Sequence, residues 1–331
     1  MYKYFVAIVL GSLLISGCEK AERNTSANNV SAADSSLLQS LEKKVWPLPA
    51  STDNPVDTLI SIEFDAAPTL GHGEIYIMDA ADDSVADIIQ VDGEVDFLGV
   101  DPQHLRTVKT RQVRINGNRL IIQPHQGALA YGKGYYAVVP AEALVSAKLD
   151  GKAFQGISKS AGWKFSIRDA APATNSLVVS QDSKGDFYTL QGALNHAMQN
   201  IGVDEPVSID LKNGIYEEIL FLRGKNNITL RGEDREKTII QYLNNNTLSP
   251  GTGRSGPADE APGGRSVFLV EETDMLVLEN LTIKNTTLIG EGGQAETIYF
   301  NSEGRLIGKY INLISEQDTL LVKGYNWFYD S

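Results

Sequence analysis

Hydrophobic and polar positions change their rhythm twice along this chain, and each change marks a different kind of structure. Between residues 50 and 168 apolar and polar residues alternate in short runs. Leu59-Ile60-Ser61-Ile62-Glu63-Phe64, Glu74-Ile75-Tyr76-Ile77, Val113-Arg114-Ile115 and Arg119-Leu120-Ile121-Ile122 carry the period of two expected of a strand with one buried face. Gly, Asn, Asp and Pro separate the runs, and Asn116-Gly117-Asn118 between two of them predicts a hairpin. Short strands at this spacing predict an all-β sandwich. Residues 171–176, Ala-Pro-Ala-Thr-Asn-Ser, read as a linker. The period then lengthens from Thr189 to Ile201, where Leu190, Leu194, Ala197, Met198 and Ile201 share one face behind Thr189 as N-cap, which predicts an amphipathic helix.

Beyond the helix the strand rhythm returns. Val207-Ser208-Ile209-Asp210-Leu211, Ile228-Thr229-Leu230, Thr238-Ile239-Ile240, Val267–Val270, Leu276-Val277-Leu278, Leu281-Thr282-Ile283, Ile298-Tyr299-Phe300, Leu306-Ile307, Ile311-Asn312-Leu313 and Leu320-Leu321-Val322 follow one another with Gly or Asn between them. A single helix among so many strands excludes a βαβ architecture. Short strands, turns every few residues and no long crossovers predict a β-solenoid, with the helix closing its N-terminal end. Asn226-Asn227, Asn280, Asn285 and Asn312 fit turn positions within the coils.

Candidate chemistry concentrates in the last third. Gln317-Asp318-Thr319-Leu320 sets an amide and a carboxylate directly before an apolar run, and Gly293-Gln294-Ala295 sets another amide before Ile298-Tyr299-Phe300. On adjacent strands these side chains would meet on one face, where amides can stabilise an oxyanion and an acid can exchange a proton. Other signals carry less. His72, His104 and His125 are scattered without metal-ligand spacing and read as surface histidines, so no metal site is expected. Gly251-Thr252-Gly253-Arg254-Ser255-Gly256 matches a dinucleotide-binding pattern but lies between an Asn-rich stretch and Pro257, so it reads as a loop. There is no G-x-S-x-G elbow, and the only cysteine, Cys18, lies in the leader.

Composition narrows the setting. A net charge of −13 argues against nucleic-acid binding. Lys3, the short apolar run Tyr4–Leu14 and the small residues Ser16-Gly17 form a signal peptide over residues 1–18, too short to span a bilayer. Leu14-Ile15-Ser16-Gly17-Cys18 resembles a bacterial lipoprotein box. That resemblance implies lipidation of Cys18, anchoring to a membrane, and with Glu19 following it, an outer-membrane lipoprotein of a Gram-negative bacterium on either the periplasmic or the surface face. Residues 19–49, rich in Ser, Ala, Asn and Glu, are expected to form a flexible tether.

Two stretches resemble known families. Ile62-Glu63-Phe64-Asp65, Leu129–Tyr136 and Gly162-Trp163-Lys164-Phe165-Ser166 are similar to bacterial Ig-like domains, which implies an Ig-like β-sandwich over residues 50–170 acting in spacing or carbohydrate contact. From Leu177 onward the chain resembles the pectinesterase family. The likeness rests on Gln181–Gln191, on Asn213-Gly214-Ile215-Tyr216-Glu217-Glu218, on Asn227–Glu233 with Lys237–Ile240, on Gly293-Gln294-Ala295 and Gln317-Asp318-Thr319-Leu320, and on Gly324–Tyr329. It implies that residues 171–331 form the N-terminal part of a right-handed parallel β-helix, incomplete at the C-terminus. It implies hydrolysis of galacturonate methyl esters of pectin without a cofactor, with pectin or polygalacturonate as the partner and a monomeric protein when complete. Asp318 then corresponds to the general acid/base, and Gln294 and Gln317 to oxyanion donors. The family's nucleophilic aspartate lies on the next coil and is expected beyond Ser331; Asp330 stands in a different motif. Leu321 occupies a position often taken by tyrosine, as in a lipoprotein branch for which thioester hydrolysis has been suggested. A thioester or other ester hydrolase on the same scaffold, and a non-catalytic polyuronate-binding surface lipoprotein, are the alternatives.

Overall fold

A computed structural model describes residues 41–260 and 263–331. The leader, Cys18 and the tether as far as residue 40 lie outside the described residues. Residues 41–49, expected in the tether, instead join the first domain: Leu41 is buried and Val45–Trp46 pairs antiparallel with Ile60–Glu63. The reason is local, since Leu41 and Val45 supply apolar surface that the sandwich core takes up.

The first domain has two four-stranded antiparallel sheets. One runs Val45–Trp46, Ile60–Glu63, Arg119–Ile122, Val113–Asn116; the other runs Lys164–Ser166, Gly134–Val138, Glu74–Asp79, Val85–Gln90. The alternating residues do what their period predicts: Ile60, Ile62, Leu120 and Ile122 from the first sheet meet Ile75, Ile77, Tyr135 and Phe165 from the second in one core. The predicted hairpin is present, with Asn116 paired to Arg119 and Gly117 at φ +58° in the two-residue turn. A separate hairpin, Val95–Leu98 with Arg106–Lys109, stands apart from both sheets.

The second domain is a parallel β-helix. Its first sheet stacks Ser176–Val179, Val207–Leu211, Ile228–Gly232, Leu276–Glu279, Arg305–Lys309 and Tyr325–Tyr329. The second stacks Gly214–Glu217, Thr238–Tyr242, Thr282–Asn285 and Asn312–Ile314, and the third Leu220–Arg223, Phe268–Glu271, Ile298–Asn301 and Leu320–Val322. Four coils each give one strand to each sheet, Ser176–Val179 and Tyr325–Tyr329 extend the first sheet at its two ends, and every pairing is parallel. Inward residues stack in register, as in the ladder Val207, Ile228, Leu276, Leu306. Asn227 and Asn280 take left-handed backbone conformations in the turns, φ +56° and +54°, which asparagine tolerates better than most residues. The helix Leu190–Asn200 closes the first coil. Thr189 Oγ1 accepts from the Gly192 amide at 3.0 Å, and Leu190, Ala193, Leu194 and Ala197 are buried in the solenoid core.

The two domains are packed together. Leu98 and Val108 of the separate hairpin are buried with Ile219, Phe221, Leu269 and Tyr299 of the solenoid. Leu105 forms an isolated antiparallel bridge with Gly256, inside the long connection 243–267. The Gly-rich pattern at 251–256 is therefore a loop, as expected, and one that the first domain holds.

Candidate active site

The turns leading into the third sheet carry the candidate chemistry. Three of them stack on one side of the solenoid: residues 243–267, 286–297 and 315–319. Strand Leu320–Val322 pairs with Ile298–Asn301, and the Thr297 amide donates to the Thr319 carbonyl at 2.9 Å. Gln317-Asp318 and Ala295-Glu296 thus occupy equivalent places at the entrance of adjacent strands, with Gln294 one residue earlier. Gln294 and Asp318 are solvent-exposed and Gln317 is half-buried. Asp318 has φ +25°, at the margin of the left-handed region that non-glycine residues enter sparingly and that gathers at functional positions. Among the described residues none of these three side chains hydrogen-bonds another.

What fixes them is the backbone around them. The Gln294 carbonyl accepts from the Asn246 amide at 2.9 Å, and the Gly292 carbonyl accepts from the Thr247 amide at 3.0 Å. Ser315 Oγ donates to the Ala295 carbonyl at 2.5 Å. Buried Asn285 donates through Nδ2 to the carbonyls of Asn244 at 2.7 Å and Glu296 at 3.0 Å. Buried Asn244 donates in turn to the carbonyls of Gly264 and Ser266, both at 2.9 Å. The three turns are stitched to each other by these amides, and buried polar groups so paired hold one geometry.

An ion pair that the sequence did not disclose lies under this surface. Arg265 Nε donates to Glu296 Oε1 at 2.7 Å and Oε2 at 3.0 Å. The Glu296 side chain is 2% exposed and that of Arg265 13%. Arg265 sits between Gly264 and Ser266, whose carbonyls also accept from Arg106 of the first domain at 3.2 and 2.6 Å. Sequence offered one signal for Glu296, its place two residues after Gln294, and none for its partner.

An acidic cleft of about 630 Å³ opens between the domains, on the first-coil side. Asp57, Asp96, Glu217 and Glu218 line it, with His125, His196 and Tyr131, and no Lys or Arg does. Two of its carboxylates are occupied by the helix. Asp57 accepts from the amides of Tyr188 at 2.9 Å and Thr189 at 2.7 Å, and Glu218 from those of Leu190 at 3.0 Å and Gln191 at 2.9 Å. Burial pushes the Glu218 carboxyl up to about 7 against the pull of these N–H donors, and burial raises Asp57 as well. His125 is half-buried and bonded to Asp87 at 2.8 Å, and His104 pairs with Asp101 at 2.5 Å.

Comparison with known proteins places the solenoid. The pectinesterase family model matches residues 176–331. A putative pectinesterase/pectinesterase inhibitor 38 from Arabidopsis thaliana is 33% identical over 181 residues, covering 54% of this chain and 34% of that protein. Pectinesterase A from Dickeya chrysanthemi is 29% identical over 177 residues, covering 48% of this chain and 46% of that protein. The chain therefore spans between about a third and a half of the length of these two relatives. Among solved structures, the pectin methylesterase from carrot overlaps 48% of this chain and 46% of its own at 21% identity and a TM-score of 0.39. Pectin methylesterase PemA from Erwinia chrysanthemi overlaps 48% of each chain at 24% identity and a TM-score of 0.37.

Proposed function

Residues 176–331 belong to the pectinesterase family, and on that premise we propose that this protein hydrolyses methyl esters of galacturonate units in pectin. The observation that carries the reading is the placement of Gln294 and Gln317-Asp318 at the entrances of adjacent parallel strands, accessible to solvent, in the segment matching the family. In this reading the Gln294 and Gln317 amides donate to the oxyanion that forms when the ester carbonyl is attacked. Asp318, as the acid, gives its proton to the departing methanol; as the carboxylate, it then takes one from the water that cleaves the acyl intermediate. Attack itself is assigned by family resemblance to an aspartate on the following coil, which is not among these residues. Asp330 lies at the end of strand Tyr325–Tyr329 in the first sheet rather than at an entrance to the third, so it does not take that place. The proposal includes lipidation of Cys18 and an outer-membrane address, supported by the Leu14–Cys18 motif.

One observation favours a second reading, hydrolysis of a thioester or another ester on the same scaffold. Leu288 and Ile289, 53% and 73% exposed, form an apolar tip on the turn that carries Gln294, suited to an apolar acyl or alkyl group. Methanol release from methyl-esterified polygalacturonate by the full gene product tests the first reading. Asp318→Asn is expected to reduce it by about a hundredfold or more while leaving substrate binding in place. Release of thiol from an acyl thioester with no release of methanol would favour the second. Saccharide binding without turnover, unchanged in Asp318→Asn, would point to a polyuronate-binding lipoprotein.

A further inference from the structure

The cleft between the domains has walls that the proposed chemistry leaves unused. Its volume of about 630 Å³ is that of a small-ligand site, and domain boundaries are where such sites gather. The solenoid contributes Asn195, His196 and Gln199, close together on the helix Leu190–Asn200. The first domain contributes Phe97 from the hairpin, and His125 and Tyr131 from the stretch between Arg119–Ile122 and Gly134–Val138. The cleft lies at the first coil, three coil spacings or about 14 Å along the solenoid from the coil of Gln317-Asp318.

Its charges suit neither kind of ion. No Lys or Arg lines it, so an anion finds no partner and meets carboxyl groups instead. A cation finds each carboxylate already engaged. Asp57 and Glu218 serve the amides of the helix entrance. Asp96 accepts from the Phe97 amide at 2.7 Å and from Gln112 Nε2 at 2.5 Å, and Glu217 lies 3.6 Å from Arg114 Nε. His125, whose proton Asp87 stabilises, is paired with that carboxylate at 2.8 Å. The groups left unengaged are neutral. His196 is 6% exposed, with Nδ1 3.3 Å from Asn200 Nδ2 and its ring 5.4 Å from that of Phe187. Burial lowers its pKa, which keeps the ring uncharged at neutral pH. Among the described residues His196 Nε2, the Gln199 amide and the Tyr131 hydroxyl have no hydrogen-bond partner, and all three residues line the cleft. Beside them Phe97 is 38% exposed.

We infer that this cleft binds an uncharged saccharide segment. Neutral imidazole, amide and phenol groups each both donate and accept, as sugar hydroxyls do, and a hydroxyl-rich ligand satisfies all three. The apolar C–H face of a sugar ring matches the open ring of Phe97. A uronate with a free carboxylate meets no cation here, whereas a methyl-esterified uronate carries no charge and is accepted. The inference goes beyond the ester-hydrolase reading and does not require it. Where both hold, the cleft retains esterified chain and releases the de-esterified product.

Calorimetric titration of the full gene product carrying Asp318→Asn tests this, with one oligogalacturonate supplied either fully methyl-esterified or de-esterified. The esterified oligomer is expected to bind, and the de-esterified one to bind about tenfold more weakly. Phe97→Ala removes an exposed ring and Tyr131→Phe a hydroxyl, and each is expected to weaken binding of the esterified oligomer by about threefold to tenfold. Gln199→Lys places a cation on an exposed position of the helix and is expected to tighten binding of the de-esterified oligomer by about tenfold. Melting temperatures matching the parent's show that the variants are folded. Equal binding of the two oligomers, or affinities that none of the three substitutions moves, would overturn the inference, and so would the absence of binding by the esterified oligomer. The ester-hydrolase reading stands or falls separately, on methanol release by the protein with Asp318 intact.

Discussion

Arg265 and Glu296 show how much of the candidate site rests on a pair that takes no part in the proposed chemistry. Their side chains are nearly enclosed, with contacts of 2.7 and 3.0 Å, and Glu296 stands two residues from Gln294. Removing one partner of a buried pair strands the other charge in a weakly polar setting, which costs about 3–5 kcal/mol. Arg265→Ala is therefore expected to destabilise the solenoid by roughly 3 kcal/mol, read as a lower urea midpoint with unchanged slope. A midpoint within experimental error of the parent would refute that account. Gln294, Gln317 and Asp318 stand out as candidates in the sequence because each lies in a short motif before an apolar run. The pair does not, because Arg265 lies in a Gly- and Pro-rich loop and meets Glu296 across 31 residues of chain that only the coil geometry brings together.

The helix Leu190–Asn200 repeats the lesson at the level of the element. Its apolar face and its Thr189 cap followed from period and residue type. Its other N-terminal donors are taken by Glu218, just past the second strand that follows the helix, and by Asp57, from the other domain, which no local pattern announces. The coils were legible for the opposite reason, since each strand and turn is a local unit and stacking repeats it. The Glu218 carboxyl gives the helix a pH signature. Its folded value of about 7 lies above the 4.5 of an unperturbed glutamate, so the folded state holds the proton more tightly than the unfolded chain does. Stability on this account falls as pH rises from about 4.5 to about 7 and stays lower above that. The difference is on the order of 1–3 kcal/mol, with Asp57 acting in the same direction. Glu218→Gln keeps an acceptor for the helix and removes the titration, so its melting temperature should vary less between pH 5 and pH 8 than the parent's. An identical pH dependence in the two proteins would exclude Glu218 as the source.

At the scale of the whole molecule the question is whether the sandwich and the solenoid fold as one body, and Arg106 is where that is decided. Its guanidinium is fully buried, and no carboxylate hydrogen-bonds it. It donates instead to the carbonyls of Leu220, Gly263, Gly264 and Ser266 of the solenoid, at 2.5 to 3.2 Å. Burial draws it down to about 9, and it remains a cation at neutral pH. A sequence read strand by strand describes two domains and a linker, because each has its own core and its own period; the coupling lies in contacts across the boundary, among them Arg106, the apolar patch around Leu98 and Val108, the Leu105–Gly256 bridge and Asp57 on the amides of Tyr188 and Thr189. Hydrogen bonds from a charged donor contribute about 1.5–3 kcal/mol each, and several of them cross the domain boundary through this one side chain. Arg106→Met would keep much of the volume and remove the donors. It is expected to leave each core intact while uncoupling them, so that a single calorimetric transition in the parent becomes two in the variant. The solenoid transition should move lower, since its turn 243–267 loses its anchor. If the variant still melts in one transition, coupling lies in the remaining contacts, the apolar patch of Leu98 and Val108, the Leu105–Gly256 bridge and Asp57 on the helix entrance, rather than in the cation.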